Sequence, residues 1–136
     1  MPSLELAYTD FFGRGSRPYL AMQVTGINGQ SGPIVGLLDS GADTTALPTG
    51  YAALMGYQAA QLERIEVGTA KGSGHGWRAV QPCTATVAGA TPPFLTLSLN
   101  PIFVETAHPL WGRRDVMAMF TAVAIEETAQ RFTLTF

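Results

Sequence analysis

Cysteine, histidine and charge are all scarce in this chain: one Cys, two His and 13% charged residues in 136 positions. Each shortage closes a class of function. A lone Cys83 cannot form an intrachain disulfide, which suits a reducing compartment. His75, Cys83 and His108 are scattered and give a zinc site almost nothing to work with. A net charge of −2 supplies no field that would draw in nucleic acid. No apolar run approaches the ~20 residues that cross a bilayer. The opening Met1-Pro2-Ser3-Leu4-Glu5 lacks the basic-then-apolar layout of a signal peptide. The expectation is a cytoplasmic protein that needs no membrane, nucleic acid, metal or organic cofactor.

What the chain does have is 46% hydrophobic residues, with fifteen Gly and nine Pro spread without period. That composition describes many short strands joined by turns. Strands are expected over 4–12, 18–26 and 34–38, the last two separated by the hairpin signal Asn28-Gly29. Extended segments follow over 62–70 and from Trp77 to Val87. In 94–99, Leu95, Leu97 and Leu99 alternate with Thr96 and Ser98. Residues 48–55 suit a single helical turn, 113–120 a short helix, and 121–126 with 131–136 a closing hairpin. No linker or repeat divides the chain, so one domain over residues 1–136 is expected. The fold class is all-β, with about eight or nine mostly antiparallel strands; helices of ordinary length are missing for an α/β design.

The most informative words are Ile34-Val35-Gly36-Leu37-Leu38-Asp39-Ser40-Gly41-Ala42-Asp43. An apolar strand ends in a carboxylate, which places a titratable group at the rim of a buried element. Gly41 allows a sharp turn beside it. A carboxylate so placed is a candidate for acid–base chemistry. Far downstream, Leu110-Trp111-Gly112-Arg113-Arg114 is a weak signal taken alone. Between the two lies Gly72-Ser73-Gly74-His75-Gly76, flanked by extended segments and without the strand-to-helix step of a phosphate loop. A Ser40 nucleophile has no His at motif spacing, and the Asp39–Asp43 loop has too few acidic neighbours for a metal.

The Asp39-Ser40-Gly41-Ala42 words resemble the active-site signature of aspartic proteases. One copy in a chain this short points to the retropepsin-like type, in which two identical chains each lend one Asp. The Leu-Trp-Gly-Arg words resemble that family's second signature, at the expected spacing and in the expected order. The layout beyond them, Phe120 to Glu126 and Arg131 to Phe136, is similar to bacterial members, so the resemblance spans residues 18–136. Residues 1–17 match nothing in it. Trp111 is larger than the usual aliphatic residue, and Asp115 stands where small or apolar residues are common.

The resemblance implies a retropepsin-like closed β fold with one short C-terminal helix, and a homodimer acting on peptides or proteins. Asp39 would be catalytic, with Ser40 and Gly41 shaping its loop. Leu37, Gly41, Asp43, Gly74 and Leu110 would contact substrate, with residues 71–77 as a mobile flap. It also implies an ion pair between Asp43 and Arg113 that braces the loop. Arg113 at a helix start would sit against the positive end of a dipole and would need such a partner. Strand 131–136, alternating Phe132, Leu134 and Phe136, would lie in the dimer contact. The competing expectation is a protein of this fold that binds peptides without cutting them.

Overall fold

The computed structural model describes residues 2–69, 72–88 and 96–136. Twelve strands and almost no helix make up the described chain. They form a three-stranded and a nine-stranded sheet. No helix among the described residues is long and apolar enough to cross a membrane.

The N-terminal strand β1 (Ser3–Ala7) leaves the main sheet altogether and joins the chain end. After it come Asp10–Gly13, which turn back, and a single bridge from Thr9 to Arg17. The long strand expected over 4–12 is therefore short, because Asp10 and Gly15 take up turn bonding: the Gly15 N–H donates to Asp10 Oδ1 at 2.9 Å. Strands β2 (Tyr19–Thr25) and β3 (Ser31–Leu38) form an antiparallel hairpin around Asn28-Gly29, as that dipeptide predicts.

Past the Asp39 loop, β4 (Ala46–Pro48) leads to one turn of helix, α1 (Tyr51–Leu54). Next comes the hairpin β5 (Leu62–Thr69) and β6 (Gly72–Ala79), then β7 (Cys83–Val87) and β8 (Thr96–Leu99). The extended stretch expected from Trp77 to Val87 is two strands, broken around Pro82, which has no N–H to give a ladder. Leu97 and Leu99 are fully buried, as their alternation predicts; Phe94 and Leu95 lie outside the described residues. Short strands β9 (Ile102–Val104) and β10 (Leu110–Trp111) follow. Neither is long enough to show a period in sequence.

The nine-stranded sheet runs β5-β6-β9-β4-β10-β3-β2-β7-β8. Its middle positions the site. Strand β10 lies between β3 and β4, parallel to the first and antiparallel to the second. Residues 39–45 must therefore pass over the end of β10 to connect its two neighbours.

The chain closes with β11 (Ala122–Glu126) and β12 (Arg131–Thr135). Here one expectation fails. Strand β12 is the middle strand of its own three-stranded sheet, paired with β1 on one side and β11 on the other. Phe132 and Leu134 are fully buried within the chain, and the Phe136 ring meets Phe120 at 5.5 Å. The C-terminal strand has no free edge to offer a second chain. Residues 3–7, which matched no pattern, supply its missing neighbour.

The helix expected over 113–120 is also absent as such. Met117 N–H reaches back to the Gly112 carbonyl at 3.1 Å and Ala118 N–H to Arg113 at 2.8 Å. These wide turns end in a 3-10 turn at Met117–Met119.

Trp111 explains its own size. Its indole lies over Gly36, where an added Cβ would stand 2.8 Å from ring atoms, and its Nε1–H donates to the Leu20 carbonyl at 2.8 Å. A large ring and an absent side chain occupy one volume. Gly36→Ala should therefore cost about 1–3 kcal/mol by overpacking. Trp111→Leu should relieve part of that cost, giving a coupling on the order of 1 kcal/mol between the sites. Urea unfolding of both single variants and the double variant checks this, and additive effects would refute it.

Candidate active site

Leu37 and Leu38 end β3 with opposite faces: Leu38 goes into the core, Leu37 stays half-exposed. Asp39, one residue on, shares the face of Leu37. Leu110 lies directly across from Leu37 on β10, and Tyr19 across from it on β2. One face of the sheet thus carries Tyr19, Leu37, Asp39 and Leu110 together.

The Asp39 loop is fixed by main-chain contacts with the Gly112 segment. The Asp39 N–H donates to the Trp111 carbonyl at 3.1 Å; Arg113 N–H donates to Ala42 and Arg114 N–H to Asp43, both at 2.9 Å. Within the loop, the Gly41 N–H donates to Asp39 Oδ1 at 2.9 Å, which orients the carboxylate. The loop crosses Gly112 so closely that a Cβ there would overlap the backbone of Thr44 and Thr45. Only glycine fits. Ser40 and Gly41 are exposed at the crest, and the Asp39 side chain is half-buried behind them.

Asp43 and Arg113 do meet, Nη2 to Oδ1 at 3.1 Å, but in solvent: their side chains are 68% and 56% exposed. One nitrogen touches one oxygen, without the forked grip of a buried pair. An exposed pair contributes under ~1 kcal/mol, far less than a buried brace. The dipole argument lapses too, because wide turns and not a regular helix follow Gly112.

The buried brace is Asp115, which sequence reasoning passed over as a departure. Asp115 is 5% exposed, and its Oδ1 accepts the Thr45 N–H at 3.1 Å and the Thr45 hydroxyl at 3.0 Å. Its Oδ2 accepts the Asn100 N–H at 3.2 Å. Thr45 Oγ1 in turn accepts the Gly112 N–H at 3.3 Å. Drawing this side chain inward, below the loop, accompanies the wide turns that replace a helix. The available signal was a single acidic residue between the Arg113-Arg114 pair and the apolar run Val116–Phe120, together with a Thr pair after the Asp39 words.

Gly74 lies elsewhere, on β6 opposite Val67, separated from β10 by β9 and β4. Of the expected flap residues 71–77, Lys71 lies outside the described residues. Trp77 pairs with Phe103 of β9 at the base of the hairpin and remains 42% exposed.

No protein-family model matches the chain, and no curated protein matches it. Among solved structures it is similar to a retropepsin-like aspartic protease from Rickettsia conorii, with a TM-score of 0.66 over 98% of this chain and 90% of that one. The two sequences are 14% identical, so the likeness is one of fold. The fold is retropepsin-like: mostly β, with almost no helix.

Two substitutions separate the buried brace from the exposed pair. Asp115→Ala leaves the buried Thr45 N–H and hydroxyl without their acceptor, along with the part-buried Asn100 N–H, and should cost about 3 kcal/mol. Asp115→Asn should cost less, since one amide oxygen still accepts but its NH₂ opposes a donor. Arg113→Ala should change stability by under ~1 kcal/mol. Chemical denaturation measures all three, and a larger loss at Arg113 than at Asp115 would reverse the assignment.

Proposed function

We propose that this chain is a single-domain aspartic endopeptidase, residues 1–136, active as a homodimer in the cytoplasm. The observation that carries the reading is the Asp39-Ser40-Gly41 loop. Main-chain contacts hold it over Gly112, with a carboxylate behind its crest and a Gly41 N–H fixing one oxygen. The retropepsin-like fold supports it, and the buried Cys83 thiol suits a reducing compartment.

One Asp39 from each subunit meets its counterpart across a two-fold axis. Two adjacent carboxylates cannot both ionise freely, so the pair holds one proton over its working range. The ionised member takes a proton from water as it attacks the scissile carbonyl. The protonated member donates to the carbonyl oxygen, and the roles then exchange to protonate the leaving amine. Gly41 and Asp43 bind the backbone of an extended peptide, while Leu37 and Leu110 contact its side chains. The β5–β6 hairpin, including Gly74, serves as the flap.

With β12 satisfied inside its own sheet, the subunit contact centres on the Asp39–Gly41 crest. Asp39→Asn should abolish peptide cleavage and leave the circular dichroism spectrum and melting temperature close to those of the parent. Mixing wild type with an equal amount of Asp39→Asn under subunit exchange should cut activity to about half, because mixed dimers carry one carboxylate. Cleavage by Asp39→Asn at the parental rate would end the peptidase reading. Peptide binding without cleavage by the wild type would favour a silent peptide-binding protein of this fold.

A further inference from the structure

Residues 9–17, the second half of the N-terminal stretch 1–17 that resembles nothing, end against the same sheet face as Asp39. The Phe12 ring stacks on His108, with centroids 5.0 Å apart and planes 19° apart, and meets Tyr19 edge-on at 5.1 Å. Phe11 adds a further edge-to-face contact to Phe12 at 4.9 Å and is itself 61% exposed. Tyr19 is paired with Leu37, and Leu37 precedes Asp39 by two residues, about 7 Å along an extended strand. His108 is tied to the same place, because the following Pro109 carbonyl accepts the Leu37 N–H at 3.0 Å. Pro18, at the end of the segment, accepts the Leu38 N–H at 3.1 Å.

We propose that Phe11 and Phe12, held by His108 and Tyr19, form an aromatic wall of the peptide cleft. The wall selects substrates with an aromatic side chain on one side of the scissile bond. This rests on the peptidase reading and narrows its substrate class. The occupant follows from continuity: the exposed Phe11 ring extends an aromatic ladder that begins at Leu37's neighbour on the catalytic face. Aromatic rings prefer offset or edge-on partners, and Phe11 presents a free ring surface already ordered by Phe12. An aliphatic side chain gains only area there. The Tyr19 hydroxyl adds a second sign. It is buried with no hydrogen-bond partner among the described residues, an unmet donor at the base of the wall.

The test compares kcat/KM for matched peptides that differ only in Phe or Leu beside the scissile bond. Wild type should prefer Phe, and Phe11→Ala should reduce that preference roughly five-fold. Because Phe11 is exposed, the variant should fold; its melting temperature verifies this. A second arm measures binding of the same two peptides to Asp39→Asn, with and without Phe11→Ala. If wild type cleaves neither peptide but this arm shows Phe-selective binding that Phe11→Ala removes, the wall stands and the peptidase reading falls. If cleavage occurs with a Phe-to-Leu ratio that Phe11→Ala leaves unchanged, the wall is wrong and the peptidase reading stands. Weakened self-association on Phe11→Ala, without a change in selectivity, assigns the ring to a subunit contact and also overturns the proposal.

Discussion

Of the described glycines, Gly112 leaves the least room for a side chain, because the Thr44–Thr45 backbone passes directly over it. Strand β10 lies between β3 and β4, so the connection between those strands has to cross it. The crossing takes the Thr45 and Gly112 N–H groups out of water. An unpaired buried donor costs roughly 1–3 kcal/mol, so each needs an acceptor. Asp115 and the Thr45 hydroxyl provide them from beneath. A carboxylate suits this place because it is all acceptor, with about four lone-pair sites and no donor to misplace. The loop above inherits its shape from this underside. Its exposed charges contribute little to holding it.

Trp111 extends the same logic into the core. A ring of that size beside a sheet normally displaces a neighbour, but Gly36 has no side chain to displace. Its Nε1–H closes on the Leu20 carbonyl, so the one polar atom of the indole is satisfied while the ring fills space. Gly36 and Gly112 therefore serve the two sides of one strand pair: Gly36 admits a side chain, and Gly112 admits a backbone. Both keep β10 tight between its neighbours, and Asp39 N–H is anchored to the carbonyl of that same Trp111.

Much of this was legible in the sequence because local patterns carry it. Asn28-Gly29 marked its hairpin, Leu97 and Leu99 marked a buried face, and Leu37-Leu38-Asp39 marked a strand ending in a carboxylate. Strands β4, β9 and β10 were not legible. Each is two or three residues long and exists only because distant partners complete it. Asp115 was missed for a related reason: its value comes from Thr45 and Asn100, which no sequence window places beside it. The Asp43–Arg113 contact was expected, but its weight was misjudged, since pairing can be read from motifs while burial cannot. Strand β12 shows the converse error. Its alternation was right, yet the partner was residues 3–7 of the same chain.

That last point shapes how two copies would meet. The three-stranded sheet buries Phe132 and Leu134 within the chain but leaves Ile125 44% exposed, and its surface carries a charged group: Arg131 bonds Glu126 at 2.7 Å and lies 3.7 Å from Glu5. The guanidinium holds the Glu126 carboxyl below the usual carboxylate range through that hydrogen bond. Charged residues on an exposed sheet discourage strand addition at its edges. In the proposed dimer this leaves the crest of the Asp39 loop as the natural contact. Association and catalysis would then depend on one surface. A loop that must match its own copy across a two-fold axis tolerates little displacement, because any error in one subunit is repeated in the other. Rigid backbone support from below meets that demand better than a solvent-exposed ion pair, whose long side chains sample many arrangements. The buried Asp115 is thus the feature through which the fold would control both pairing and chemistry.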